Sequence, residues 1–170
     1  MPLAPIPAIT SARRVGRHPG QATWPGRLPP SRRQPGDIAG VIWTTDPEET
    51  GIDIYFGIGG APEGVLAAAA LRCIGGQMQG RLHPLKKEEE LRAAAMGITD
   101  IRRKFNMNDM ASDDVIFSAT GVTDGSLLDG VHVRQEFAET ETVVLRSKTG
   151  TVRRIKTTFR MLGTKAMPTG

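Results

Sequence analysis

The sequence predicts a mixed α/β domain that follows a distinct N-terminal segment. Apolar runs at residues 37–44 and 52–58 have the length and composition of short β-strands. An alanine-rich run at residues 62–74 has a strong helix propensity and follows the second strand directly. Residues 139–146 and 151–159 flank the sequence Ser-Lys-Thr-Gly, which is typical of a β-hairpin. Strands, a helix and a hairpin in one short chain indicate the α/β class.

The junction between the second strand and the helix is the most informative stretch. Gly59 and Gly60 end the strand, because residues without Cβ allow backbone turns that other residues avoid. Pro62 suits the start of a helix, where its missing N–H would have no partner. Glu63 then lies in the first helical turn, at a junction where α/β proteins place ligand sites. The helix dipole also favours a carboxylate there, by about 0.3–1 kcal/mol, so a structural role and a ligand role both remain open.

The remaining body alternates short strands and helices. We expect strand 52–58 to run parallel to its neighbour because a helix follows it. Residues 78–82 predict a further strand, residues 85–96 a helix that Gly97 ends, and residues 115–119 a buried strand.

Two polar features of the body have alternative interpretations. Residues 120–125, Thr-Gly-Val-Thr-Asp-Gly, can present N–H groups and hydroxyls to a phosphate, and they are equally good turn sequence. The return strand of the hairpin is rich in basic residues, which we interpret as an exposed edge that charge protects from further pairing. These residues are Arg153, Arg154, Lys156 and Arg160.

Composition narrows the function classes. The 170 residues include one cysteine, Cys73, which excludes an intramolecular disulfide and fits a reducing compartment such as the cytoplasm. No apolar run approaches the roughly 20 residues that cross a bilayer, so no membrane partner is expected.

The formal net charge is +4, but the first 36 residues hold six arginines and no acid, leaving 16 basic against 18 acidic side chains elsewhere. A near-neutral body argues against nucleic-acid binding. His18, His83 and His132 form no metal-ligand spacing.

The first 36 residues differ from the rest of the chain. They contain eight of the twelve prolines and show neither helical nor strand periodicity. Such a segment buries little apolar surface, so we expect it to be disordered or poorly packed. We favour out-of-frame translation of a GC-rich gene, or a truncated gene, as its origin, and a disordered extension is the alternative. We expect no secretory signal, because the segment has no apolar region. Its arginine-rich, acid-free composition also fits an organellar transit peptide, but the prolines would interrupt the amphipathic helix of such a peptide. The predicted organisation is a tail at 1–36, a body at 37–160 and a C-terminal tail at 161–170.

Three blocks of sequence, in order along the chain, resemble class II fructose-1,6-bisphosphatase. The first is IGGAPEGVLAAAALR at residues 58–72 with GGQMQGRL at residues 75–82. The second is DMASDDVIFSATGVTDGSLLDG at residues 109–130, and the third is ETETVVLRSKTGTVRRI at residues 139–155. The resemblance runs from about Gly36 to near Phe159 and covers only the C-terminal half of the family's chain. No run resembles the Asp-Pro-hydrophobic-Glu-Gly-Thr signature of the N-terminal half, which carries most of the metal-binding carboxylates.

The resemblance implies a fold, an activity and a set of site residues. The fold is the C-terminal half of the layered α/β sugar-phosphatase (inositol monophosphatase-like) architecture. The activity is hydrolysis of the 1-phosphate of fructose 1,6-bisphosphate in gluconeogenesis, with Mn²⁺ or Mg²⁺ as cofactor. The family's pattern assigns Glu63 to the metal and Gly36, Asp37 and Gly60 to substrate, while catalytic residues stay unassigned. Pro35 departs from the family's Asp-Gly-Asp turn, which puts the assignment of Gly36 and Asp37 in question.

The resemblance also implies partners. Sedoheptulose 1,7-bisphosphate is a second candidate substrate, and the full-length form is expected to be a cytoplasmic homo-oligomer. Because only Glu63 matches a family ligand, we expect the isolated chain to be catalytically incomplete. The alternative function is a non-catalytic sugar-phosphate-binding or assembly module that complements a separate N-terminal half.

Overall fold

A computed structural model of the chain describes residues 7–14, by their backbone, and residues 38–161. The strands are β1 (Pro7–Arg14), β2 (Ile54–Gly60), β3 (Gly76–Leu82), β4 (Phe105–Asn106), β5 (Ile116–Thr120), β6 (His132–Arg134), β7 (Phe137–Arg146) and β8 (Thr151–Arg160). The helices are α1 (Ile38–Trp43), α2 (Pro47–Thr50), α3 (Ala61–Ile74), α4 (Lys87–Ala95) and α5 (Met107–Met110). The predicted α/β class is therefore confirmed, and none of the described helices is long and apolar enough to span a membrane.

The described strands form two antiparallel sheets. The first has the order β2-β1-β3-β4. In the second, β7 pairs with β5 and β6 along one edge and with β8 along the other. The predicted hairpin is confirmed, since β7 and β8 pair from Phe137 opposite Arg160 to Arg146 opposite Thr151.

Helices α1 and α3 lie between the two sheets. One apolar cluster joins Ile42 of α1 and Ala70 and Cys73 of α3 to Val143 and Leu145 of the second sheet. A second cluster joins the same two helices to the first sheet and comprises Val41, Ala67, Ala68, Leu71, Met78 and Ala111. Both sides of α3 are thus buried, which explains its alanines, because small side chains allow close approach of an element on each side. The result is a layered arrangement of sheet, helices and sheet.

The prediction of a strand at residues 37–44 is wrong. Residues Ile38–Trp43 form helix α1, and Ala39 to Trp43 are buried. A short apolar run does not distinguish a buried strand from a buried helix by periodicity, and packing between two sheets decides the outcome here. The short helix α2, Pro47–Thr50, follows, and Gly51 ends it at φ +66°.

The expected parallel orientation of β2 is also wrong. Its partner in the described sheet is β1, which runs antiparallel to it. The helix after β2 did not indicate this orientation, because the neighbour of β2 is β1. Strand β1 lies in the N-terminal segment for which the composition predicts a disordered tail.

The structure differs from the expected disordered tail at Pro7–Arg14. This segment forms β1 and lies between β2 and β3, pairing with both. Pairing through backbone groups satisfies the N–H and C=O groups of both neighbours and needs no apolar pattern. The other residues of the N-terminal tail, and residues 162–170 of the C-terminal one, lie outside the described part.

The remaining predicted elements are present with small shifts. The predicted helices correspond to α3, which begins at Ala61, and α4, after which Gly97 has φ +86°. Strand β3 begins two residues earlier than expected. Strand β5 is half-buried rather than buried, because Phe117 lies in the core while Ile116 is exposed.

Candidate functional site

The candidate site is the junction between β2 and α3. Gly60 ends the strand and is the N-cap of the helix, in an extended conformation with φ −67° and ψ 147°. Ala61 and Pro62 open the first turn, and their conformation leaves the early helix N–H groups pointing out of its N-terminal end. At the other end, Gly75 adopts the left-handed conformation at φ +84° and donates its N–H to Leu71 O at 2.9 Å. Local sequence signals thus determine both ends of α3.

Glu63 caps the start of α3. Its Oε2 accepts a hydrogen bond from the Gly60 N–H at 2.8 Å, which is the side-chain half of a capping box. The side chain is exposed, and among the described residues no hydrogen bond to Oε1 is present. The cap restricts the orientation of the carboxylate while Oε1 stays accessible. The structural role of Glu63 is therefore present, and it is compatible with a ligand role.

Glu63 lies on the wall of a narrow pocket between α1, β2 and α3. The ring of Tyr55 occupies one side of it, against Gly40 and Gly57, where an added Cβ would come within 2.7 Å of the ring. The volume of about 20 Å³ is close to the space one water molecule requires. In this conformation the pocket does not accommodate a sugar bisphosphate. Its lining comprises Ile38, Val41, Tyr55, Gly57, Ile58, Gly59, Gly60, Glu63, Gly64, Ala67 and Met78.

The four residues assigned by resemblance are only partly described. Gly60 and Glu63 are adjacent at the pocket. Gly36 and Asp37 lie outside the described residues, so their proximity to Glu63 stays a prediction. Ile38, which directly follows Asp37 in the chain, lines the same pocket as Glu63. The chain therefore enters α1 beside the candidate site.

Other carboxylates of the described region do not converge on Glu63. Asp114 pairs with Lys148 at 3.5 Å, and Asp124 pairs with His132 at 3.0 Å. Within residues 38–161, no group of three or more His, Cys, Asp or Glu side chains is placed to hold a metal ion. Glu63 is an oxygen ligand of the type that Mn²⁺ and Mg²⁺ bind, and it fits such an ion as one ligand of several.

The loop that follows β5 is held by a buried ion pair that the sequence analysis did not identify. Glu141, only 3% exposed, accepts hydrogen bonds from the Asp129 N–H at 2.7 Å and from Arg154 Nη1 at 2.8 Å. Arg154 Nη2 also donates to Leu127 O at 2.6 Å. The alternation of side chains along β7 could have indicated that Glu141 is buried, because it lies on the same face of the strand as the buried Val143 and Leu145. These contacts give residues 120–130 a structural explanation; a phosphate contact stays a hypothesis.

The basic residues of β8 do not form a uniform exposed edge. Arg154 is the exception, because it reaches the buried Glu141. Lys156 and Arg160 are exposed and pair with Asp129 at 3.0 Å and Glu136 at 2.6 Å. The hydrogen bond from Lys156 lowers the pKa of Asp129 from its ordinary value and raises the pKa of Lys156.

Cys73 is a core residue. It is buried on α3, its Sγ lies 3.6 Å from Val115 O, and burial raises the pKa of its thiol. A raised thiol pKa disfavours the nucleophilic thiolate, so the environment of Cys73 suits packing and not nucleophilic catalysis.

Comparison with known proteins identifies the family. The family described as bacterial fructose-1,6-bisphosphatase, glpX-encoded, matches residues 32–159. The chain belongs to this family. The matched region includes the described body from α1 to Phe159 in β8 and also contains Gly36, Asp37, Gly60 and Glu63.

Individual class 2 fructose-1,6-bisphosphatases match over the same extent. Fructose-1,6-bisphosphatase 1 class 2 of Escherichia coli is 44% identical over 135 residues, which cover 71% of this chain and 40% of the relative. Fructose-1,6-bisphosphatase class 2 of Haemophilus influenzae is 39% identical over the same length and coverage. The chain therefore spans about 40% of the length of the curated relatives it matches.

Proposed function

We propose that this chain forms part of a class 2 fructose-1,6-bisphosphatase that hydrolyses the 1-phosphate of fructose 1,6-bisphosphate to give fructose 6-phosphate. The observation that carries the proposal is the capped, accessible Glu63 carboxylate at the β2–α3 junction, inside the region that matches the family. The proposed setting is gluconeogenesis in the cytoplasm. Sedoheptulose 1,7-bisphosphate is a further proposed substrate, and the complete enzyme is proposed to be a homo-oligomer of the layered sugar-phosphatase fold.

Glu63 is the proposed metal ligand. When bound, Mn²⁺ or Mg²⁺ supplies positive charge for the phosphoryl oxygens and lowers the pKa of the attacking water. The chain's own contribution is to orient one carboxylate, since the Gly60 N–H holds Oε2 and leaves Oε1 accessible. Gly60 is the proposed contact to substrate, because a residue without a side chain allows a ligand to approach the backbone closely. Gly36 and Asp37 are proposed to contact the sugar bisphosphate from the segment that precedes α1.

The isolated chain is proposed to be catalytically incomplete. Two-metal phosphatase sites hold ions about 3.5–4 Å apart, which requires several converging carboxylates. The described residues provide Glu63 without such a cluster. A single carboxylate holds Mg²⁺ poorly, because this ion gives up its water reluctantly. The 170-residue chain alone should therefore release no appreciable phosphate from fructose 1,6-bisphosphate with either metal.

A chimera tests the function and the role of Glu63 together. We would replace the matched region of the Escherichia coli enzyme with residues 32–159 of this chain and measure phosphate release with Mn²⁺. We expect an active chimera in which Glu63→Gln lowers metal affinity and kcat by about 100-fold or more, since loss of even an outer-sphere partner costs about 10–100-fold.

The matched control is Glu89→Gln. Glu89 also accepts N–H hydrogen bonds at the start of its helix, from Leu85 at 2.7 Å and Lys86 at 3.3 Å, but it lies on α4, away from the pocket. Its replacement should leave activity close to that of the chimera. Retained activity in Glu63→Gln would remove the ligand role, and a folded but inactive chimera would contradict the proposed function.

A further inference from the structure

The outer face of the second sheet contains a pocket near the turn of the β7–β8 hairpin. Its volume is about 340 Å³, within the range of about 300–1,000 Å³ typical of small-molecule sites. Val143 and Leu145 lie in the core against α1 and α3, so Val144 and Arg146 point to the opposite face of the strand. The pocket therefore faces away from the helix layer, and no residue assigned to metal or substrate lines it. Its lining comprises Ile116, Val144, Arg146, Thr149, Thr151 and Arg153.

The pairing of the strands brings two arginines together at this pocket. Arg146 of β7 lies opposite Thr151 of β8, and Arg153 follows two residues later on the same face. Such diagonal neighbours are about 7–8 Å apart, a distance that the long arginine side chains span. Arg146 also lies opposite Ile116 of β5, so apolar surface adjoins the guanidinium groups.

The two arginines have no counter-charge. Within the described residues neither takes part in a hydrogen bond or an ion pair, in contrast to Arg154 and Arg160 on β8. The lining of the pocket contains no Asp or Glu. Like charges at this distance repel each other, so an anion bound between Arg146 and Arg153 would stabilise the arrangement.

A hydroxyl donor lies beside the arginines in the turn of the hairpin. The Oγ1 atoms of Thr149 and Thr151 are 2.7 Å apart, in a hydrogen bond in which one hydroxyl donates to the other. The accepting hydroxyl keeps its own hydrogen, which is available to a ligand. The turn is held against β5, because the Ser147 N–H donates to Val115 O at 2.9 Å and the Val115 N–H donates to Ser147 Oγ at 2.7 Å.

We propose that this pocket binds the phosphate group of a small phosphorylated metabolite. A phosphate monoester carries a charge of about −1.5 to −2 at pH 7, which matches two guanidinium groups, whereas a carboxylate balances only one. Arginine also presents paired N–H donors to phosphate oxygens. Ile116 and Val144 provide an apolar surface for the organic part of the ligand, for which the volume leaves room. The inference is independent of the proposed function, because it concerns a different site.

Binding of phenyl phosphate to the complete 170-residue chain tests the proposal. The pocket at Glu63 has a volume of only about 20 Å³, so it does not accommodate this probe. Titration calorimetry should show one site, with a Kd at least about tenfold lower than that of benzoate, which has the same ring but a single negative charge. Absence of binding, or equal Kd values for the two probes, would overturn the proposal.

Inorganic phosphate distinguishes a phosphate ester from the free ion. It should bind more weakly than phenyl phosphate, because it makes no contact with Ile116 and Val144. Tighter binding of inorganic phosphate would overturn the assignment to a phosphate ester.

Variants locate the site. Arg146→Gln and Arg153→Gln should each raise the Kd for phenyl phosphate by about tenfold or more, because each removes charge-assisted hydrogen bonds. The matched control is Arg134→Gln, since Arg134 is an exposed arginine of the same sheet. It lies opposite Phe137, nine residues and so about 30 Å along β7 from Arg146, and its replacement should change the Kd by less than about twofold, as expected for a residue outside the site. Equal effects of the pocket variants and the control would overturn the proposal.

Thermal unfolding separates ligand binding from a structural role. Phenyl phosphate should raise the Tm of the original chain and leave that of Arg153→Gln unchanged. Without ligand, Arg153→Gln should be at least as stable as the original chain, because one of two repelling charges is gone. A less stable ligand-free variant would show that Arg153 has a structural partner, and that result would overturn the proposal.

Nuclear magnetic resonance of the unmodified chain makes the test independent of variants. Phenyl phosphate should shift the Nε–H signals of Arg146 and Arg153 and leave the amide signals of Gly60 and Glu63 in place. Shifts at Gly60 and Glu63 instead would assign the probe to the candidate metal site and overturn the proposal.

Discussion

Glu141 and Arg154 form the ion pair that connects the hairpin to the loop after β5. Glu141 is 3% exposed and Arg154 26%, while the pair of Arg160, on β8, with Glu136, in the turn before β7, is exposed at both side chains. Removing one partner of a buried pair leaves a desolvated charge and unsatisfied donors. Removing one partner of an exposed pair costs little because water replaces it. The two pairs therefore allow the contribution of a buried ion pair to stability to be compared with that of an exposed one in the same protein.

Glu141→Ala should lower the free energy of unfolding by about 3–5 kcal/mol, since it removes the acceptor of the hydrogen bonds from both Arg154 Nη1 and the Asp129 N–H. Glu136→Ala, the control, should change it by less than about 1 kcal/mol. Urea denaturation followed by circular dichroism measures both. Similar midpoints for the two variants would mean that the buried pair contributes no more than the exposed one.

The exposed pair of Asp129 and Lys156 makes a pH-dependent contribution. The Lys156 hydrogen bond lowers the pKa of Asp129 below its ordinary value of 3.8. A lowered carboxyl pKa contributes stability above the ordinary value, and this contribution is lost as pH falls through the folded-state pKa. Lys156→Met should therefore raise the pKa of Asp129 toward 3.8 in an NMR titration of its carboxyl carbon. Lys148→Met should leave that titration unchanged, because Lys148 pairs with Asp114 instead; an unmoved Asp129 in Lys156→Met would show that the pair does not form in solution.

At the scale of elements, the loop at residues 120–130 depends on close contact between the backbone at Gly121 and the backbone at Asp129. The Gly121 N–H donates to Glu141 O at 3.0 Å, and an added Cβ on Gly121 would overlap the Asp129 carbonyl oxygen. Gly125 lies in the same loop, but its added Cβ would meet Leu128 O at an ordinary 3.7 Å. Of these two glycines, only Gly121 is sterically required.

Gly121→Ala should destabilise the protein by about 1–3 kcal/mol, because the backbone must move to relieve the overlap. Gly125→Ala should be within about 0.5 kcal/mol of the original protein, as for an unconstrained surface position. Thermal unfolding of the two variants under identical conditions provides the comparison. If Gly121→Ala were as stable as Gly125→Ala, the close approach of residues 121 and 129 would be refuted.

At the scale of the whole molecule, β1 connects otherwise separate parts of the first sheet. Thr10 pairs with Gly57 of β2 on one side and with Gly80 of β3 on the other. Apart from the first residue, where Pro7 lies, a strand with a neighbour on both sides does not tolerate proline, which lacks the N–H and interrupts the ladder. The N-terminal segment is thereby part of the fold over Pro7–Arg14.

Thr10→Pro should destabilise the protein by about 2 kcal/mol or more, through the lost donor and the unsatisfied acceptor opposite it. Thr10→Val keeps the N–H and the β-branched shape and should have a small effect. Urea unfolding tests both, and limited trypsin digestion adds a second readout because Arg13 and Arg14 should resist cleavage while they are in β1. Rapid cleavage there, with an unaffected core, would restore the prediction of a disordered tail.

The structural features that the sequence alone determined are those that depend on residues close together in the chain. The glycine pair, Pro62 and the alanines specify α3, Glu63 caps it three residues from Gly60, and residues 147–150 specify the hairpin. Each of these signals involves residues only a few positions apart, so it can be recognised without knowledge of the fold. The family also followed from motifs of this kind.

Tertiary structure decided what depends on residues far apart in the chain. Ile38–Trp43, within the apolar run at residues 37–44, forms helix α1 because it packs between two sheets, and Pro7–Arg14 forms β1 because β2 and β3 offer backbone partners on both sides. Alternation along β7 places Glu141 on the same face as Val143 and Leu145, but only the structure shows that Arg154 and the Asp129 N–H meet it there. Burial and strand pairing are set by contacts between distant segments, and no local pattern encodes which segments will meet.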